Sequence, residues 1–344
     1  MESNSPTRDK TSLEQLSREL LDNYNELNMN SVDELWEEPS PLEFMRYVAR
    51  NRPFVIKQGA RHWTACKRWS ANYLVESIGN STVNVAITPK GNADAVLESE
   101  DGSLLFVKPL EEPERFCDFL AYVQEQEAKS STGFVKYAQT QNDNLRNEYI
   151  SLFEDVPTDI PFARIALQQR PDAINFWLGN SRSVTSLHRD NYENIYAQVR
   201  GQKHFVLLPP LAAACVNEQH LPAATYARSS NHFDMGEDST PQAGEEKIDA
   251  VTDDPPETVP VAIWDPDEPG SRSTPFSRHA KPIRVTLDEG DLLYLPAMWY
   301  HKVSQSCGKE GFCCAVNYWY DMDFSGSFWT VNSYIRDMAR LTGR

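Results

Sequence analysis

Along the first 170 residues, apolar positions recur mostly at helical spacing, broken by a few short extended runs. From Ser12, "SLEQLSRELLDNYNELN" repeats Leu13, Leu16, Leu20 and Tyr24 on one helical face, with Gln15 three residues after the serine in the manner of a capping box. Residues 1–10 before it read as a tail. A second helix is expected over "PLEFMRYVARN", opened by Pro41. "PFVIKQGA" reads as a strand closed by Gly59, "SANYLVESIG" as a helix between Ser70 and Gly79, and "TVNVAITP" alternates as a strand does. "EPERFCDFLAYVQEQEAK" predicts an amphipathic helix with Phe116, Phe119, Leu120 and Val123 on one face, and "GFVKYAQ" returns to strand.

From about residue 172 the pattern becomes one of short strand-like runs between Gly, Pro and polar turns. They are "AINFWLG", "SVTSLH", "NIYAQVRG", "QKHFVLLPP", "IRVTLDEG", "DLLYLP", "WYHKVSQS" and "FCCAVNYWYD". Eight such runs predict a mainly β fold with flanking helices, an antiparallel sandwich or barrel of the jelly-roll or cupin class. Between the fourth and fifth lies a loop-like insert over roughly residues 211–281, rich in Asp, Glu and Pro. Phe328, Val331, Ile335 and Met338 are spaced for one face of a C-terminal helix. The expected organisation is a tail and amphipathic helix over 1–40, an α/β elaboration over 41–171 packing on the barrel, the core over 172–322, and a terminal helix over 323–344.

Composition narrows the class. The chain is 40% hydrophobic and 24% charged, as a globular protein is. No apolar run approaches a membrane span, and "MESNSPTRDKTSLEQ" lacks the basic start and apolar run of a signal peptide. The six cysteines are scattered without a CxxC pair, which suggests reduced thiols in a cytoplasmic or nuclear compartment, with Cys313 and Cys314 in the core. A net charge of −17 argues against nonspecific nucleic-acid binding and favours a basic partner, although acidity also serves solubility.

The candidate chemistry starts with "VTSLHRDNYENIY". Residues i and i+2 of a strand face one side, so His188 and Asp190 can reach one metal ion, with His301 arriving from a later strand. Two imidazoles and a carboxylate form a facial set that leaves positions open on iron. Among seven histidines and 50 acidic residues an H-x-D is unremarkable by itself. Its weight comes from "NFWLG" before it, Lys203 on the following strand, and His301 behind "GDLLYLPAMW". His204 and His279 receive no role: a barrel side chain and a loop residue account for them.

"NFWLGNSRSVTSLHRDNYENIYAQVRGQKHFVLLPP" and "GDLLYLPAMWYHKVSQS", followed by "CCAVNYWYDM", resemble the JmjC-type oxygenases of the cupin superfamily, which depend on iron(II) and 2-oxoglutarate. The likeness runs from about Pro41 to Tyr320, includes "NRPFVIKQGARHW" and "VNVAITPKGNADAV", and is nearest to a lysyl-hydroxylase branch. It implies a double-stranded β-helix in which His188, Asp190 and His301 hold iron. It further implies that Lys203 binds the distal carboxylate of 2-oxoglutarate, aided by Thr185, with Tyr137 and Tyr196 as further pocket candidates. Asn194 and Asn317 would contact the iron-proximal carboxylate or a metal ligand. The implied reaction consumes dioxygen and 2-oxoglutarate, releases succinate and carbon dioxide, and hydroxylates a lysyl carbon of a basic protein, a GTPase-type protein being the candidate. Asp143, Glu193 or carboxylates of the insert are the candidates for gripping that lysine. Histone demethylation shares the same metal site but lacks a Cys/His reader framework here, and proteolysis of basic tails lacks a nucleophile elbow. A metal-free scaffold is the non-enzymatic alternative. The terminal helices would either cover the barrel ends or form a homodimer.

Overall fold

The computed structural model describes residues 6–99, 101–129, 133–229 and 247–342. Eight strands build the core: β1 (Ala173–Gly179), β2 (Val184–Arg189), β3 (Tyr192–Arg200), β4 (Gln202–Leu208), β5 (Ile283–Leu287), β6 (Leu292–Leu295), β7 (Tyr300–Ser306) and β8 (Cys313–Asp321). They divide between two antiparallel sheets, in the orders β6-β3-β8-β1 and β5-β4-β7-β2. This is the double-stranded β-helix expected from the eight runs. Strands 33–35 and 54–56 extend the first sheet beyond β6, and residues 92–93 extend the second beyond β2.

The period of two in β1 explains how the sheet carries both a packing face and a working face. Ile174, Phe176 and Leu178 join one buried cluster with Phe44, Trp69, Phe116 and Phe119 of the preceding α/β layer. Trp177 belongs instead to the cluster inside the barrel, with Tyr137, Tyr196 and Phe205. With both faces covered, every residue of β1 is buried, and each large apolar side chain so placed contributes about 1.5–3 kcal/mol.

Local chemistry sets the supporting helices. Ser40 caps Pro41–Arg50 through a reciprocal box: its Oγ accepts from Glu43 N, and the Glu43 carboxylate accepts from Ser40 N. Asn51 ends that helix in the left-handed region, where its side chain donates to Ala297 O and accepts from Trp299 Nε1. The helix thereby clasps the turn that leads into β7. Ser70 caps Ala71–Ile78, and Phe116–Lys129 buries Phe116, Phe119, Leu120 and Val123 as the pattern predicts.

Several expectations need correction. The first helix spans Pro6–Leu27, so it begins earlier than expected and Ser12 lies inside it rather than capping it. Residues 1–5 of the expected tail fall outside the described residues. Leu21 is buried on this helix, whereas Leu16 is 58% exposed. Residues 112–115 belong to strand Leu110–Arg115, not to the helix after it. On the C-terminal helix Ser327–Thr342, Val331 faces outward and Asn332 is buried. Ile335 and Ala339 pack on a buried cluster that includes Leu21, Leu187 and residues of the Pro210–Ala214 turn, while Arg336 and Arg340 close on Glu218.

The insert is the largest departure. Strands Glu218–Arg228, Ile248–Thr252 and Thr258–Ala262 occupy much of the span read as a loop, and the first of them pairs with Leu104–Lys108 of the α/β layer. Its partner is distant in sequence, so no local turn signal announces the pairing. The acidic stretch over 230–246 lies outside the described residues.

Candidate metal centre and anion pocket

β2 and β7 pair antiparallel so that His188 stands directly across from His301, their ring centroids 4.1 Å apart. The register shifts between Thr185 and His188, a bulge that re-aims the end of β2. Asp190 follows the strand, with Oδ2 lying 3.8 Å from His188 Nε2 and 3.6 Å from His301 Nε2. The three ligand atoms fall within 4.8 Å of one another, the one such group among the described residues. Asp190 is tied to the turn before β7: its carbonyl accepts from Met298 N at 2.8 Å, and Met298 holds φ at 68°, a conformation uncommon for a long side chain.

The imidazoles are oriented as ligands. His188 Nδ1 lies 2.7 Å from Ser186 O and His301 Nδ1 lies 3.0 Å from Trp299 O. A carbonyl oxygen only accepts, so each Nδ1 carries a proton and each Nε2 is the atom turned to the shared point. Burial, followed by the nearby His188, pushes the His301 imidazole down to about 4, against the pull of Asp190. At neutral pH His301 is therefore uncharged.

Lys203 forms the other pole. It sits across β4–β7 from Gln305 and is 2% exposed. Its ammonium donates to Tyr137 Oη and Gln305 Oε1, each at 2.9 Å, and lies over the Tyr137 and Tyr196 rings. Desolvation works against this charge while Tyr137 and the neighbouring Cys313 thiol favour it, and the balance leaves its pKa above the ordinary lysine value. No carboxylate among the described residues pairs with it. A buried cation without an anion is costly unless a ligand supplies one.

All nine side chains assigned from the sequence to the metal or to 2-oxoglutarate line one cavity: Tyr137, Thr185, His188, Asp190, Asn194, Tyr196, Lys203, His301 and Asn317. Asn194 and Asn317 are linked, Asn317 Nδ2 donating to Asn194 Oδ1 at 3.1 Å and Asn317 Oδ1 accepting from Trp177 Nε1 at 2.8 Å. Gln305, Trp177 and Trp319 were not singled out from the sequence. Alternation along β7 could have found Gln305, since 301, 303 and 305 share a face. The Trp319 indole N–H, in the cavity wall, is buried and has no hydrogen-bond partner among the described residues.

Two of the candidates for gripping a substrate lysine are occupied elsewhere. Glu193 lies on the opposite face of β3 from Asn194, where it accepts from Tyr294 Oη at 2.5 Å and from Ala297 N. Asp143 is spent on Arg146 and on the backbone N–H of Ile174. Of the described insert carboxylates, Asp253 pairs with Lys108, and Asp265 and Asp267 pair with Lys302. Cys313 and Cys314 are buried as expected, and Cys66 lies in the short helix Thr64–Arg68.

A double-stranded β-helix with a His-Asp-His cluster across its second sheet defines a cupin-type protein with a candidate mononuclear metal centre. The sequence agrees: the model of the cupin-like domain family matches residues 39–326, and the chain belongs to that family, in its JmjC branch. It is 38% identical over 323 residues to "Lysine-specific demethylase JMJ32" of Arabidopsis thaliana, covering 91% of this chain and 87% of that protein. It is 37% identical over 313 residues to the human "Bifunctional peptidase and (3S)-lysyl hydroxylase JMJD7", covering 91% and 90%. A third relative, "JmjC domain-containing protein E" of Dictyostelium discoideum, is 33% identical over 301 residues, covering 84% and 83%. The JmjC family is iron(II)- and 2-oxoglutarate-dependent, and this chain is accordingly a 2-oxoglutarate oxygenase by family.

Proposed function

We propose that this chain is an iron(II)- and 2-oxoglutarate-dependent protein hydroxylase that oxidises a lysyl C–H bond in a basic protein segment, a GTPase-type protein being the candidate target. One observation carries the reading: a three-ligand set and a buried, anion-free ammonium line the same cavity. His188, Asp190 and His301 would hold the iron, and the donor set, two neutral imidazoles and one carboxylate, suits it. When bound, the iron supplies the coupled oxidation, in which 2-oxoglutarate, dioxygen and a C–H bond become succinate, carbon dioxide and an alcohol.

The protein's share is positioning. Lys203 would receive the distal carboxylate of 2-oxoglutarate, with Tyr137 held beside it as a second donor and Thr185 in the same wall. The Trp177–Asn317–Asn194 relay uses up the oxygens of both amides and leaves the Asn194 NH2 to donate to a ligand in the cavity. The aromatic walls of Trp177, Tyr196 and Trp319 exclude water from that end.

The lysyl hydroxylase relative, with 91% of this chain covered, supports hydroxylation. A second reading, N-methyl-lysine demethylation, is supported by the relative named a demethylase. The two differ in product. With iron, 2-oxoglutarate and a panel of basic peptides, hydroxylation adds one oxygen atom to a lysine and releases no formaldehyde. Loss of a methyl group with formaldehyde release would replace it. Six free cysteines support a cytoplasmic or nuclear setting, and the exposed Val331, Tyr334 and Leu341 of the C-terminal helix support a homodimer.

A further inference from the structure

A second groove, of about 390 Å³, has His188 in its wall and therefore opens beside the candidate metal position. Its size suits a side chain or small ligand. Phe106, Leu187 and Val259 give it apolar walls, so the insert strand Thr258–Ala262 helps to shape it. Four charged residues besides His188 line it, and three are already neutralised. Lys108 pairs with Asp253 at 2.6 Å, Glu218 is held by Arg336 and Arg340, and Arg189 donates to Asn191 and faces Glu218. The fourth, Asp94, makes no hydrogen bond and no ion pair with any described residue.

The backbone is bent to put Asp94 there. Asn92 and Ala93 pair with Val184 and Thr185 of β2, and Ala95 pairs with Val107 of the neighbouring sheet. Asp94 makes the corner between the two sheets with φ at 54°, a left-handed conformation that aspartate adopts more readily than most non-glycine residues. Gly91 permits the approach: a Cβ there would lie 2.0 Å from the carbonyl oxygen of Arg182. A recessed carboxylate without a partner beside a candidate reaction centre is suited to receive a cationic ligand.

We infer that Asp94 binds the primary ammonium of an unmethylated substrate lysine lying in this groove, with the apolar walls taking its methylene chain. The inference rests on the proposed oxygenase reading and deepens it. A carboxylate grips an ammonium through charge-assisted N–H donors, and a fully methylated ammonium has none to offer. With its nitrogen engaged by Asp94, the lysine would offer a chain carbon rather than an N-methyl group to the oxidation. Hydroxylation of carbon, rather than removal of an N-methyl group, is the outcome this geometry selects.

The test is a comparison of two peptide libraries with basic flanks, one centred on lysine and one on norleucine, read as succinate formed above the peptide-free rate. The wild type is expected to favour lysine by about 10-fold or more, chiefly through KM, and to gain nothing from a trimethyl-lysine centre. In Asp94→Asn, whose side chain tolerates the same φ, the lysine-to-norleucine ratio is expected to fall to about one. In Asp94→Lys a glutamate-centred library is expected to outperform the lysine one. Reading ratios cancels any change common to both peptides. Equal rates for the two libraries in the wild type, or a lysine preference surviving in both variants, overturns the inference. If no protein forms succinate with iron and 2-oxoglutarate, the oxygenase reading beneath it fails instead.

Discussion

Lys203 and Glu218 are both buried charges, yet their surroundings are opposite. Among the described residues Lys203 meets only neutral acceptors, Tyr137 and Gln305, inside the barrel. Glu218 meets guanidinium groups: Arg336 donates to both carboxylate oxygens, Arg340 donates at 2.8 Å, and Arg189 stands 3.9 Å away. Burial raises the Glu218 pKa, but the hydrogen bonds and charge of Arg336, with Arg340 and Arg189, outweigh it and hold the carboxyl below its ordinary range. The carboxylate is complete within the protein and fastens the C-terminal helix to the strand that opens the insert. The ammonium is incomplete, as a group reserved for a ligand must be. A buried charge with all its counter-charges in place is part of the fold, and one without them is part of a binding site.

The largest effect is expected at the completed site. Glu218→Leu leaves three guanidiniums without their anion and should lower unfolding free energy by about 3–5 kcal/mol in a denaturant titration. If stability were unchanged, the two sites would not differ in the way described. Lys203→Met should do the reverse. Isothermal titration should find 2-oxoglutarate binding weakened by roughly 30- to 100-fold, for the loss of charge-assisted hydrogen bonds, with a melting temperature no lower than the wild type. A fall in melting temperature would make Lys203 a structural cation. Gln305→Leu, which removes one neutral acceptor and leaves the charge, should change 2-oxoglutarate affinity by about 10-fold or less.

The smallest effect is the pH dependence. The depressed folded-state pKa of Glu218 means that its stabilisation is complete above the unfolded carboxyl value of 4.5 and is lost as pH falls through the folded value. Acid unfolding of the wild type should therefore be steeper with pH below about 4.5 than that of Glu218→Gln, while Lys203→Met should match the wild type there. Equal acid slopes in all three would remove Glu218 from the account.

The same contrast separates what was legible in the sequence from what was not. The eight core strands could be read because alternation is a property of each segment alone, and His188 with Asp190 could be read because i and i+2 share a face. Capping by Ser70 and the apolar face from Phe116 to Val123 are likewise local. The insert strands were missed because Glu218–Arg228 pairs with Leu104–Lys108 and with the prolyl strand Thr258–Ala262, partners that no nearby residue specifies. On the C-terminal helix the apolar spacing placed Phe328 and Ile335 correctly, whereas Val331 is exposed and Asn332 is buried, and the pairing of Arg336 and Arg340 with Glu218 was not legible from spacing.

By itself, then, the chain's order of residues determined the core strands, the residue types able to bind a metal, and the lysine that follows them. Tertiary structure alone decided that His188 faces His301 across one strand pair, that Lys203 lacks a counter-ion, and that Asp94 turns into a groove while Glu193 and Asp143 turn away. The reason is physical: periodicity assigns a side chain to a face, but strand register and the packing of distant layers decide what that face meets.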